Sequence, residues 1–236
     1  HQTLFFSATI TDEIKKLAYS QVKSEAIRIQ VSPKDPVSKN VSHAVMFVGM
    51  DDKRFFLADF LQSHEQSKVI VFVRTKVRAE RVVKAMARVG ITCQNIHGDK
   101  EQQQRAQVMQ AFRNGDCRVL IATDVSARGI DVPDIEYVIN YDLPDKAENY
   151  VHRVGRTGRG VNKGQAIAYC AEEERPLLEA IQDFINKPIQ TIQVGKNTYN
   201  DIASAPEKSN QDLKSLVAEH DAWLQGKGKR SKKRKK

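Results

Sequence analysis

The segment "YVHRVGRTGRG", Tyr150 to Gly160, sets Arg153, Arg156 and Arg159 three residues apart and separates them with Gly155, Gly158 and Gly160. A guanidinium is a planar, permanently charged fork that matches the oxygens of a phosphate. On a helix, positions i, i+3 and i+6 fall within one broad face, so the three groups could converge on one anion. The plainer reading is a solvated basic face. Against it, glycines cost about 1 kcal/mol each relative to alanine in a helix, and no Asp or Glu lies between Val151 and Tyr169 to pair with the arginines. His152 sits within the same run, either as a structural hydrogen-bonder or as part of a site.

Three other segments place polar groups just after apolar, strand-like runs. In "VFVRTK" (Val71 to Lys76), Arg74 and Thr75 precede a helix whose first amides could take a phosphate; the alternative is an ordinary turn capped by Thr75. In "HGDKEQQQR" (His97 to Arg105), Gly98 permits a tight turn, and Gln102 and Arg105 fall in the first turn of the next helix. The alternative there is a capped helix with a solvated arginine. In "ATDVSARGID" (Ala122 to Asp131), Thr123, Asp124 and Ser126 end a strand, while Arg128 and Asp131 flank Gly129. Its small residues would leave room for a ligand, or the stretch is simply a polar connection.

The elements that must position these groups are legible as alternating periods. Strand-like "VSHAVMFVG", "KVIVFV", "TCQNI", "RVLIAT", "IEYVINY" and "GQAIAYCA" are interleaved with helical stretches around Phe55 to Leu61, Val77 to Val89, Glu101 to Arg113 and Glu172 to Ile185. Short β-branched strands without central charges, alternating with amphipathic helices, predict an α/β fold: a parallel sheet with helices on both faces. Ligands in such sheets sit at the carboxyl ends of the strands. Upstream, "TLFF" and "AIRIQV" (Ala26 to Val31) read as strands around a helix from Thr11 to Gln21. "SPKDPVSKN", Ser32 to Asn40, reads as a linker. Beyond Gln193 the apolar pattern fades, and the region reads as loosely structured, with one short helix around Leu213 to Leu224.

The chain has 236 residues, 40% of them hydrophobic, enough for one large domain with appendages. Its longest apolar runs are too short to cross a bilayer, and its start has no signal-peptide pattern. Cys93, Cys117 and Cys170 follow no metal-ligand spacing and read as buried free thiols of a reducing compartment, so no metal site is expected. The net charge of +9 is local: the last eleven residues, "GKGKRSKKRKK", hold eight cations, and the remainder carries only +1. With His1 in place of a methionine and a strand-like run at once, the chain reads as a piece of a longer protein.

Taken in order, these motifs resemble the C-terminal lobe of DEAD-box RNA helicases over roughly residues 1 to 190. "SAT" (Ser7 to Thr9) is similar to that family's motif III, "VFVRTK" to motif IV, "HGDKEQQQR" to its Gln-x-x-Arg helix start, "ATDVSARGID" to motif V and "HRVGRTGR" to motif VI. The continuation "GQAIAYCAEEE" and "INKPIQTI" is most similar to the bacterial RhlE-like subgroup. Departures are small: "GRGVNKG" stands for the common "GRAGxxG", and Ser126 stands where alanine is frequent.

The resemblance implies a RecA-like domain over residues 41–192, preceded by a first-lobe remnant (1–31) and an interlobe linker (32–40), and followed by an extension (193–236) that ends in a basic, disordered tail. It implies that two lobes close around ATP and RNA, with Mg²⁺ held mainly by the first lobe, whose P-loop and Asp-Glu-Ala-Asp are not in this sequence. Arg156 and Arg159 would be arginine fingers. Asp131 and Gly129 would lie at the nucleotide. Ser7, Thr9, His152 and Arg153 would couple the lobes, with Arg153 tying motif VI to its own lobe. Arg74, Thr75, Gly98, Gln102, Arg105, Thr123 and Asp124 would line single-stranded or duplex RNA, with Asp124 orienting neighbouring groups rather than facing a phosphate. Implied partners are RNA, the first lobe, and ribosome-assembly or RNA-decay proteins; implied location is the cytoplasm, with no membrane role. The fragment alone would lack ATPase activity. A non-catalytic binding module built on a helicase lobe is the competing reading, and a DNA or DEAH-type enzyme is disfavoured by His152.

Overall fold

The computed structural model describes residues 3–6, 12–23, 25–29, 37–127, 132–159 and 163–204. Its centre is one seven-stranded sheet built from β1 (Val41–Phe47), β2 (Val69–Phe72), β3 (Gln94–Ile96), β4 (Val119–Ala122), β5 (Tyr137–Asn140), β6 (Gly164–Cys170) and β7 (Gln190–Ile192). The order is β3-β4-β2-β5-β6-β1-β7 and every pairing is parallel. Phe72 is in register with Ala122 on one side and Asn140 on the other, so β2, β4 and β5 end level.

Continuous apolar runs make these central strands because both faces are covered. Side chains alternate across a strand: Val69 and Val71 of β2 join one core with Val119 and Ile121 of β4, while Ile70, Phe72, Leu120 and Ala122 join the other. The first core is closed by α2 (Lys53–Ser63) and α3 (Lys76–Arg88) through Phe56, Leu57, Val82 and Met86. The second is closed by α4 (Gln102–Asn114), α6 (Ala147–Val154) and α7 (Arg175–Ile185) through Phe112, Tyr150, Leu178 and Ile181. A short α5 (Asp124–Ala127) follows β4 directly.

Three expectations need correction. The run "TLFF" and residues 26–29 form no strand, and Phe6, Ile27 and Ile29 are more than four-fifths exposed. A strand needs a neighbour to complete its ladder, and none is offered among the described residues. The helix there, α1 (Asp12–Gln21), buries no side chain. At the other end, the fold does not fade at Gln193. Residues 196–204 are helical, Tyr199 packs with its ring tilted 51° and centred 4.8 Å from that of Phe56 and bonds Gly49 and Asp52, and Ile202 packs against the core of α2. Val37, in the segment read as linker, is also buried in the core. Residues 205–236, including the basic tail, lie outside the described residues. Among the described residues, no helix is long and apolar enough to cross a membrane.

Candidate functional site

The strand order brings together what the sequence separates. Arg74 and Thr75 follow β2, Gly98 follows β3, and Thr123 and Asp124 follow β4. These three strands are neighbours, so their carboxyl-end loops form one rim.

Each loop is fixed by local chemistry. Thr75 has extended backbone angles and caps α3, its hydroxyl accepting from the Arg78 amide at 3.1 Å. Thr123 is buried, and its amide and hydroxyl both meet the Ser126 hydroxyl, at 3.1 and 3.0 Å. Ser126 Oγ in turn donates to the Ile96 carbonyl at 2.7 Å, latching the β4 loop to the end of β3. Alanine could not make that bond. Lys76 pairs with Asp99 and ties α3 to the β3 loop; that contact lowers the Asp99 carboxyl and raises the Lys76 ammonium relative to their ordinary values. Gly98 has open space around it, Gln102 is exposed at the start of α4, and Arg105 is half-buried with no hydrogen-bond partner for its Nε.

The three arginines of the opening segment part company. Arg153 is 1% exposed and turns under the rim. Its Nε and Nη2 hold Asp124 in a fork at 2.6 and 2.9 Å, and its Nη1 donates to Asn140 Oδ1 (3.2 Å) and the Asp142 carbonyl (2.7 Å). The guanidinium also lies 5.1 Å from the centre of the Phe72 ring. Arg153 therefore does not converge with its neighbours on one anion, because α6 ends at Val154 and the helical spacing stops there.

Arg156 and Arg159 lie beyond that end, partly exposed, each with its Nε on a carbonyl of the helix terminus: His152 at 3.2 Å and Gly155 at 3.1 Å. Between them, the buried Thr157 hydroxyl donates to the Ile135 carbonyl just before β5, so this arm reaches the opposite end of the sheet from the rim. Gly158 has φ +66°, and a Cβ there would lie 2.6 Å from Val41. A Cβ on Gly164 would meet the Thr157 hydroxyl at 2.0 Å. These glycines let the arm pack on its own lobe. His152 is half-buried on α6. Ser7, Thr9, Arg128, Gly129 and Asp131 lie outside the described residues.

The structure adds a charge cluster that sequence reasoning missed. Lys53 is fully buried, in an ion pair with Glu174 and 3.8 Å from Asp142. Glu174 also accepts from Arg74 Nη2 and the Leu143 amide, both at 3.2 Å, and from the Ala171 amide at 3.0 Å. Asp142 takes the Arg74 amide at 3.0 Å and Arg78 Nη2 at 3.2 Å. Arg74 further reaches Asp145 at 3.2 Å and the Leu143 carbonyl, so its Nε and Nη2 are spent within the lobe. Burial lowers the Lys53 ammonium below its ordinary value, against the pull of Glu174 and Asp142. The available signal was the spacing in "DKRFFL", which puts Lys53 three and four residues before Phe56 and Leu57 on the same buried face of α2.

The family model described as the helicase conserved C-terminal domain matches residues 52–161. The chain is 40% identical over 191 residues to the ATP-dependent RNA helicase DbpA of Bacillus subtilis, covering 81% of this chain and 40% of that one. It therefore spans less than half the length of that curated relative. Among solved structures it is similar to the E. coli DEAD-box protein SrmB bound to regulator of ribonuclease activity A, with 32% identity, TM-score 0.61, and coverage of 65% of this chain and 91% of that one. It is also similar to S. cerevisiae Dbp5 bound to RNA and ADP BeF3, with 29% identity, TM-score 0.71, and coverage of 86% and 54%. With the rim loops on adjacent strands and the arginine arm behind α6, these likenesses establish that the chain belongs to the DEAD-box helicases, as their C-terminal RecA-like lobe.

Proposed function

We propose that this lobe works in RNA-stimulated ATP hydrolysis and local duplex unwinding, contributing one wall of a cleft closed by a first lobe. The observation that carries the reading is the split of the arginines. Arg153 is sealed beneath the rim on Asp124, while Arg156 and Arg159 lie partly exposed at the end of α6 with their Nε atoms on carbonyls. Two oriented, permanently charged forks suit a triphosphate. ATP supplies the phosphoryl group that passes to water. Arg156 and Arg159 neutralise the charge that develops on it, an effect of about 10³-fold or more in rate. Asp131 and Gly129 belong at the nucleotide, Mg²⁺ is held mainly by the first lobe, and His152 with Ser7 and Thr9 links hydrolysis to closure.

RNA lies along the rim, on Thr75, Gly98, Gln102, Arg105 and Thr123, with Arg74 and Asp124 holding the loops in place. Backbone contacts of this kind carry no sequence information, and RNA is told from DNA by its 2′-hydroxyl. The Asp124–Arg153 fork is what joins this rim to the helix bearing the arginine arm. That Dbp5 was solved with RNA and ADP BeF3 supports the assignment. The basic tail adds a nonspecific anchor, and deleting Gly226 to Lys236 is expected to flatten the salt dependence of RNA binding. An unchanged salt slope would refute the anchor. A cytoplasmic, RhlE-like enzyme of ribosome assembly or RNA decay is the finer form of the proposal, supported by the residues after motif VI.

ATP hydrolysis by the full-length protein, with and without single-stranded RNA, tests the reading. Turnover that rises with RNA and disappears in Arg156→Ala is the expected result. RNA binding without turnover would replace it with the binding-module reading.

A further inference from the structure

The helix that starts at the rim carries a second cationic feature. α3 buries Ala79, Val82 and Met86. On the opposite side, Val77, Arg81, Lys84 and Arg88 fall within about 60° of one another at 3.6 residues per turn, a straight stripe along the helix. All four are exposed. Among the described residues, Arg81, Lys84 and Arg88 make no hydrogen bond, ion pair or ring contact. This contrasts with Lys76 and Arg78 on the same helix, which are engaged by Asp99 and Asp142. The single acid of α3, Glu80, lies on the flank of the stripe, 3.7 Å from His97.

We propose that this stripe is an extension of the RNA path, taking the phosphates of a strand that leaves the rim at Thr75 and runs down the outside of α3. The inference rests on the reading of the rim as an RNA site. Continuity supports it, because Thr75 is both a rim residue and the cap of α3. Charge complementarity supports it too: three unneutralised cations in line ask for a polyanion. Their rises along the axis are about 4.5 and 6 Å, while charges on a nucleic-acid strand repeat at about 3.4 Å or more, so each cation can take a phosphate of its own. An unstructured acidic protein segment would satisfy the charge, but nothing joins it to the rim.

The test uses the full-length protein, two single-stranded RNAs and the variant R81E/K84E/R88E. An RNA of about 6 nucleotides spans the rim alone, and one of about 25 nucleotides has length to spare for the stripe. The variant is expected to bind the long RNA at least tenfold more weakly at low salt. Its slope of log affinity against log salt should fall by about 2, from three lost contacts at about 0.7 each. Affinity for the short RNA should stay within twofold. Should charge reversal perturb folding, R81A/K84A/R88A keeps good helix formers and is expected to lose the same slope. Equal weakening of both RNAs, or of neither, overturns the proposal. So does a variant that loses binding to poly-glutamate while keeping the long RNA. Wild-type protein that binds neither RNA overturns the reading of the rim, and the extension with it.

Discussion

Beneath the rim, the two fully buried cations face carboxylates: Lys53 meets Glu174 and Arg153 meets Asp124, while the more exposed Arg74 and Arg78 join Glu174 and Asp142 from the edge. At the end of α6 the burial changes: Arg156 and Arg159 are partly exposed, and their Nε atoms rest on carbonyls. A buried charge is tolerable only when paired, so the first group is fixed as scaffold. A guanidinium at a partly exposed helix end stays within reach of an anion from outside the lobe. The same residue type, three positions apart in one motif, thus serves opposite ends.

The largest effect should come from the exposed arm. In the full-length protein, Arg156→Ala is expected to cut RNA-stimulated turnover by about 10³-fold while leaving the urea midpoint nearly unchanged. A stability loss as large as that from a buried arginine would erase the contrast between the two regions.

The buried side should show the reverse. Asp124→Ala strands a guanidinium that is 1% exposed, and a cost of about 3 kcal/mol in urea denaturation is expected. Within the cluster, Glu174→Leu and Lys53→Met should differ. The first leaves Lys53, Arg74 and two amides without their acceptor, at about 3 kcal/mol. The second removes a group whose burial already opposes its charge, while Glu174 keeps Arg74 and both amides, so about 1 kcal/mol or less is expected. Equal costs would mean that Lys53, and not the carboxylate, is the hub.

How much of this was legible follows from what each signal encodes. The continuous apolar runs of β2 and β4 announced strands covered on both faces, because they feed two cores at once. The rim loops were legible as polar residues after apolar runs. The split of Arg153 from Arg156 and Arg159 was not, since a three-residue spacing presumes a helix and the helix ends at Val154. Glu174 was hidden in "EEE", where Glu172 and Glu173 are exposed and only the third turns inward. "AIRIQV" misled because alternation marks a strand's capacity to pair, not the presence of a partner. The packing of Tyr199 was hidden because one aromatic in a polar stretch carries no period.

The smallest effect is in the alkaline range and comes mainly from buried thiols and phenols rather than from the ion pairs. Burial pushes the Cys93 thiol from 9.0 up to about 12, the Cys170 thiol up to about 11 and the Tyr141 phenol from 10.0 up to about 12. A group whose pKa is raised by folding is held neutral in the folded state. Its contribution is therefore complete below its unfolded value and is lost as the pH climbs through the folded one. Lys53 acts in the opposite sense, because the folded state gives up that proton first. With three thiols and four phenols raised by burial against the one lowered ammonium of Lys53, urea stability should be flat to about pH 9 and decline from there toward pH 12. The same neutral thiols should react slowly with a maleimide at neutral pH in the folded protein and rapidly in urea. Rapid labelling of Cys170 in the folded state would show that β6 opens far more readily than its buried position implies.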